Sequence, residues 1–135
     1  MSRRKKTFTN YEINKNIAKI LVLHRVWNGL NQSRIASDLR VSFQQVQKYE
    51  KCMNRISAEN LIDICRKRKW DITLFMSNRP DTILDEWVSN YPEHKEPYPL
   101  RVHKIIKKWK EIDRVGENNY YYNHRFKKEN NEWNL

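Results

Sequence analysis

Apolar residues recur every three or four positions through most of this chain, broken by short polar or capping stretches. Residues 11–28 place Ile13, Ile17, Ile20, Leu21, His24 and Trp27 on one helical stripe. Gly29 follows, where a chain enters the left-handed conformation without a Cβ penalty, so a first helix is predicted to stop there. Asn31 is placed to cap a second helix over about residues 32–39, which turns Ile35, Ala36 and Leu39 inward. Ala36 falls where the second and third helices would cross, and only a small side chain lets two backbones approach there. Arg40 and Val41 form the turn. Ser42 then caps a third helix whose Val46 and Tyr49 face the core, leaving Phe43, Gln44, Gln47 and Lys48 outside.

The same pattern continues. Residues 52–56 read as a loop, and Ser57 caps a fourth helix carrying Leu61, Ile64 and Cys65. Trp70 and Ile72 close the core, and Thr73 caps a last short helix with Leu74 and Phe75. Five helices around one core make a complete domain over residues 11–79. From Pro80 the character changes. Residues 81–91 can form a helix with Ile83, Leu84, Trp87 and Val88 on one face; Pro92, Pro97 and Pro99 interrupt it. Residues 100–112 are periodic again through Val102, Ile105, Ile106, Trp109 and Ile112. The tail holds Tyr120, Tyr121, Tyr122, Phe126 and Trp133 without a clear period. With two Gly and four Pro in 135 residues, hairpin-rich β architecture is disfavoured. The expected class is all-α: a five-helix domain at 11–79, a short basic arm at 1–10, and a helical, aromatic extension over 80–135.

Charge sharpens this division. Residues 1–79 hold 17 Lys and Arg against six Asp and Glu, whereas residues 80–135 hold ten of each, so the whole formal excess of +11 lies on the five-helix segment and its arm. A basic unit of this size attracts phosphate polyanions and gains from counterion release. Lysines serving solubility alone would be spread evenly. The arm opens with Arg3-Arg4-Lys5-Lys6 and shows no apolar periodicity. Two readings stand for it: a strand trailing along a minor groove or phosphates, as homeodomain arms do, or a disordered solubilising start.

Catalytic chemistry finds no foothold. The sequence offers no paired carboxylates in a plausible cleft, no activated nucleophile and no glycine-rich phosphate loop, so no catalytic residue and no cofactor are assigned. Cys52 and Cys65 lack CxxC spacing, and His24, His94, His103 and His124 are scattered, so no metal site is expected and both thiols read as structural. His24, Trp27 and Trp70 read as core. No apolar run approaches the roughly 20 residues that span a bilayer, and no secretory segment opens the chain. A soluble cytoplasmic protein with no membrane partner is expected.

Gly29-Leu30-Asn31-Gln32, Ile35-Ala36, Val41-Ser42, Val46 and Tyr49-Glu50, taken in register, resemble the Cro/repressor-type (XRE-like) helix-turn-helix family of phage and bacterial regulators. The likeness covers about residues 11–79 and implies a lambda-repressor-like DNA-binding domain with double-stranded DNA as its partner. It implies that Gln32 holds a phosphate and steadies a reading residue, that Ser42 and Phe43 open the recognition helix, and that Gln44 reaches base edges. A glutamine can pair with adenine N6 and N7, at roughly 1–3 kcal/mol of discrimination. Phe43 would suit a thymine methyl. Gln47 and Lys48 lie one turn on, Lys48 toward guanine or phosphate, and Asn54 and Arg55 match positions that grip the sugar-phosphate backbone. The plainer alternative for Gln44, Gln45 and Gln47 is a solvated helix face. Arg25 and Glu50 match a pair that commonly forms a partly buried ion pair. Arg40 and Cys52 stand where the family usually has glycine, which leaves open a reshaped turn and a changed docking angle; Arg40 is also an extra phosphate candidate.

The resemblance points to a sequence-specific regulator, a repressor or autoregulator that occludes polymerase as a homodimer on an inverted repeat, because one short helix reads too few base pairs. Two further classes stay open: an antitoxin-like, partner-binding protein that uses the helix-turn-helix for autoregulation, and a single-stranded RNA binder. The neutral extension has two possible packing partners. Ile83, Leu84, Trp87, Ile105, Ile106 and Trp109 pack either on the first domain or on a second subunit, and the tyrosine tail is a candidate contact for another protein.

Overall fold

The computed structural model describes residues 2–91 and 100–114, with side chains from residue 11 onward. Among them every regular element is a helix: α1 Ser2–Trp27, α2 Gln32–Leu39, α3 Phe43–Glu50, α4 Ala58–Arg68, a 3₁₀ helix Ile72–Met76, α5 Pro80–Ser89, and α6 over residues 100–114. The all-α expectation is met, with α1 to the 3₁₀ helix as the five predicted helices.

Caps fall where short-range chemistry puts them. The side chains of Asn31, Ser42 and Ser57 accept from the backbone N–H groups of Arg34, Gln45 and Asn60 at 2.9–3.0 Å. Gly29 ends α1 at φ 70. Two details differ from expectation. The 3₁₀ helix is capped by Asp71 rather than Thr73: Asp71 Oδ1 accepts from both the N–H and the hydroxyl of Thr73, at 3.0 and 2.7 Å. A carboxylate two residues upstream offers a stronger acceptor than the threonine hydroxyl, which becomes a donor instead. Also, α1 already begins at Ser2, so the expected arm is helical over residues 2–10. Lack of an apolar stripe removes a face to pack, but that stretch contains no Gly or Pro to halt a helix.

One apolar cluster fills the interior. α1 runs through its centre and is buried nearly all round from Ala18 to Val26, packed by Ile35, Leu39, Val46, Ile64 and Phe75. Arg68 of α4 donates to Asp38 Oδ2 at 2.7 Å and so ties α4 to the end of α2. Of the two partners open to the extension, the structure shows the first domain: Ile83, Leu84, Ile105, Trp109 and Ile112 join the same cluster. The indole N–H of Trp109 donates to Lys19 O at 2.9 Å, and Lys19 pairs with Asp113 at 2.9 Å. Arg101 donates to Trp27 O at 2.9 Å, setting a cation on the carbonyl end of α1, where the helix dipole favours it. A Cβ on Gly29 would stand 3.0 Å from that guanidinium, so glycine there serves close approach as well as φ. Ile106 departs from expectation and is exposed, because Ile105, Trp109 and Ile112 already form the buried stripe of α6. The aromatic tail lies outside the described residues.

His24 is a core residue, as its place on the stripe implies. It stacks on Trp70 and Phe75 at ring-centroid distances of 4.6 and 5.1 Å and meets Trp87 edge-on at 5.2 Å. Its Nδ1 lies 3.0 Å from Ile20 O. A carbonyl only accepts, so Nδ1 carries the proton and the tautomer is fixed. Burial lowers its pKa to about 4, outweighing the Ile20 bond and the attraction of Asp71. Unfolded chains take up this proton below about pH 6.5, and the folded chain resists until about 4. The stability is therefore complete above pH 6.5 and drains as pH falls through that window, by about 3 kcal/mol. Urea midpoints at pH 7 and pH 4 should show this loss in the parent and a smaller one in His24→Phe, which keeps the ring stack. Equal losses in both would place the titration elsewhere.

Candidate nucleic-acid interface

Two eight-residue helices and the turn between them build the exposed basic face. Within α2, Ile35, Ala36 and Leu39 are buried; within α3, Val46, Tyr49 and Glu50 are. Arg40 ends α2 at φ 56, with its N–H on Ser37 O at 3.3 Å and that of Val41 on Ala36 O at 3.1 Å. Cys52 closes the region after α3 at φ 61, its N–H on Tyr49 O at 3.2 Å. Both positions keep the left-handed conformation that glycine favours, so the turn is not reshaped. Each non-glycine residue carries a local strain of roughly 1–2 kcal/mol.

With 100° of rotation per residue, the buried side of α3 leaves Gln44, Gln47, Lys48 and the flanking Lys51 on the opposite arc, while Phe43 is open at the first turn beside the buried edge. Gln44 and Lys48 are exposed, Phe43 is 41% exposed, and Gln47 and Lys51 are half-buried. Ser42 is exposed, with its Oγ engaged by Gln45 N–H at 3.0 Å. Asn54 and Arg55 are exposed in the loop beyond. Arg40 points from the turn, also exposed. α3 thus brings Ser42, Phe43, Gln44, Gln47 and Lys48 onto one element, with Arg40 and the pair Asn54 and Arg55 at its two ends.

Gln32 is placed differently. It is half-buried, and its Nε2 donates to Glu50 Oε1 at 2.9 Å. Glu50 also accepts from Arg25, whose Nε reaches Oε2 and whose Nη2 reaches Oε1 at 2.9 Å. Arg25 Nη1 donates in addition to Leu30 O at 2.9 Å. Lys108 of α6 stands 3.7 Å from Oε1. The Arg25–Glu50 pair expected from the resemblance is present, and it also anchors the amide of Gln32 at the start of α2.

Curated relatives match much of this chain. An uncharacterized transcriptional regulator in the ATPase CF(0) region of Rhodospirillum rubrum is 32% identical over 101 residues, spanning 70% of this chain and 94% of the relative. HTH-type transcriptional regulators of Sinorhizobium medicae and Rickettsia conorii are 31% and 32% identical over 68 and 77 residues. This chain belongs to the HTH-type transcriptional regulators. It covers 94% of the Rhodospirillum relative, but only 49% of the Sinorhizobium one and 62% of the Rickettsia one. No family profile matches the chain, and no solved structure is similar to it. Such regulators bind DNA and are not enzymes. Among the described residues no helix of this regulator is long and apolar enough to cross a membrane.

Two features of the candidate interface carry no mark in the sequence. Lys51 extends the basic arc of α3, but it reads from sequence only as the residue after the helix. Lys108 approaches Glu50 from a helix far along the chain, and no local pattern marks such a contact. The buried cluster yields a direct expectation. Glu50→Ala strands Arg25 with an unpaired buried charge and should cost about 3–5 kcal/mol in chemical denaturation. Replacing both with methionine should cost much less, since neither charge is then left alone. A single-variant loss below about 1 kcal/mol would mean that the pair is solvated.

Proposed function

We propose that this HTH-type regulator reads duplex DNA with α3 and acts as a Cro/repressor-type (XRE-like) repressor or autoregulator, binding an inverted repeat as a homodimer. The observation that carries the reading is the outward side of α3. Phe43, Gln44 and Lys48 stand open to solvent on a helix whose other side is fixed by Val46, Tyr49 and Glu50. Among the described residues, no hydrogen bond or ion pair occupies the side chains of Gln44, Gln47, Lys48, Asn54 or Arg55. A folded core does not need these groups held so, whereas a polyanionic groove does.

Roles follow from chemistry. Gln44 pairs with adenine N6 and N7 through a carboxamide that donates and accepts at once. Phe43 lies against a thymine methyl, and Gln47 reads or supports from one turn on. Lys48, Arg40, Asn54 and Arg55 hold phosphates, as does the cap region of Ser42. Gln32, already fixed to Glu50, steadies the entry of α2 beside the backbone. Two heads are needed because one short helix contacts too few base pairs to stand out from a genome. Their half-sites would lie one DNA turn apart, about 34–36 Å or a multiple of it. Occupancy then blocks polymerase.

Selection of bound sites from random duplexes tests the whole reading, and a palindromic product with that spacing is expected. On the selected site Gln44→Ala should lose discrimination by roughly 1–3 kcal/mol, about 5- to 150-fold, with binding to random DNA unchanged. Lys48→Ala should weaken binding to all sequences and lower the salt slope by about one. Unchanged discrimination in Gln44→Ala would remove α3 as the reading element.

A further inference from the structure

On a part of the molecule that α3 does not line, α1, α4 and the 3₁₀ helix enclose an open groove of about 690 Å³. Ile13, Ile17, Ile62, Phe75 and Met76 line it, with Glu12 at one rim. Three of these side chains are unusually bare for their type: Ile13 is 50% exposed, Ile62 40% and Met76 75%. Its volume falls in the roughly 300–1,000 Å³ range of pockets that enclose organic ligands, so it has room for more than one aromatic ring.

The chain itself supplies an occupant. Lys15 of α1 links the groove to the end of α6: its Nζ lies 3.3 Å from Glu12 Oε1 and 3.7 Å from Asp113 Oδ1. The sequence beyond Arg114 therefore departs within a lysine's length of the rim. Residues 115–119 reach at most about 18 Å when extended, which is enough to bring the next residues over the groove. Those residues are Tyr120-Tyr121-Tyr122, with Phe126 and Trp133 beyond. Residues 115–135 carry three Lys and Arg against three Asp and Glu, so no net charge opposes docking on this face. A second copy fits less well. Three bare side chains offer far less than the roughly 800 Å² per partner that a stable interface buries, whereas one buried aromatic contributes about 150–250 Å² on its own.

We propose that the groove between α1, α4 and the 3₁₀ helix is the docking site of this chain's own tyrosine segment, Tyr120–Tyr122. The tail then covers Ile13, Ile62 and Met76 within the same molecule, independently of DNA binding.

Methionine oxidation reads this directly, since it follows exposure. Met76 is more exposed than Met53, at 75% against 53%, so a bare groove makes Met76 the faster of the two to react with peroxide. With the tail docked, Met76 in the full chain without DNA should be several-fold slower than Met53, by mass spectrometry of digested time points. Replacing Tyr120, Tyr121 and Tyr122 with serine should restore the faster rate at Met76 and leave Met53 unchanged. The protection should hold when the protein is diluted a hundredfold. A parent chain in which Met76 reacts at least as fast as Met53 overturns the proposal, as does protection that survives the serine variant. Protection lost on dilution also overturns it, by placing a second copy in the groove.

Discussion

The carboxylate of Glu50 is 2% exposed, and a charge that deep is tolerated only when donors saturate its oxygens. Those donors come from Arg25 on α1 and Gln32 on α2, with Lys108 of α6 close by. Because the acceptor is the last residue of α3, four helices are referred to one end of the helix that faces outward. A hydrophobic contact at this point would hold α3 against the core but would permit it to roll. Directional bonds from several sides do not. The orientation of the open face of α3 thus descends from one buried charge rather than from the residues on that face.

Strain at the two ends of α3 fits the same account. Arg40 and Cys52 adopt left-handed conformations that cost a non-glycine residue free energy, and they hold them. Tertiary packing on either side of each turn fixes the path, with Ala36 and Leu39 before Arg40, Val46 and Tyr49 after it, and a buried thiol at Cys52 itself. In return, the first turn presents a guanidinium where glycine would present nothing.

Legibility in the sequence followed the range of the interaction. Asn31, Ser42 and Ser57 act within three residues, and each cap is where its spacing put it. The inward residues of α2, α3 and α4 follow from period alone. Asp71 displaced Thr73 because two capping residues stood close together and spacing does not rank acceptors. Ile106 misled because its stripe holds one more apolar residue than the face of α1 can cover. The outward set Phe43, Gln44 and Lys48 was readable as the remainder of a simple helical wheel. The Arg25–Glu50 pair was readable only through family resemblance, and Lys108 was not readable at all, since nothing near it in the chain announces a carboxylate on α3.

Cys52 and Cys65 are both buried and unpaired, and desolvation raises both thiols, Cys65 to about 11. Only the thiolate attacks an alkylating reagent, so neither sulfur reacts until its surroundings open. One terminates the outward-facing helix, where Asn14 donates to its Sγ at 3.2 Å, and the other lies within α4. The protein thereby carries two native clocks for breathing motions, one at each place. Comparing their ticking rates would tell whether the reading head loosens alone or only when the whole interior gives way.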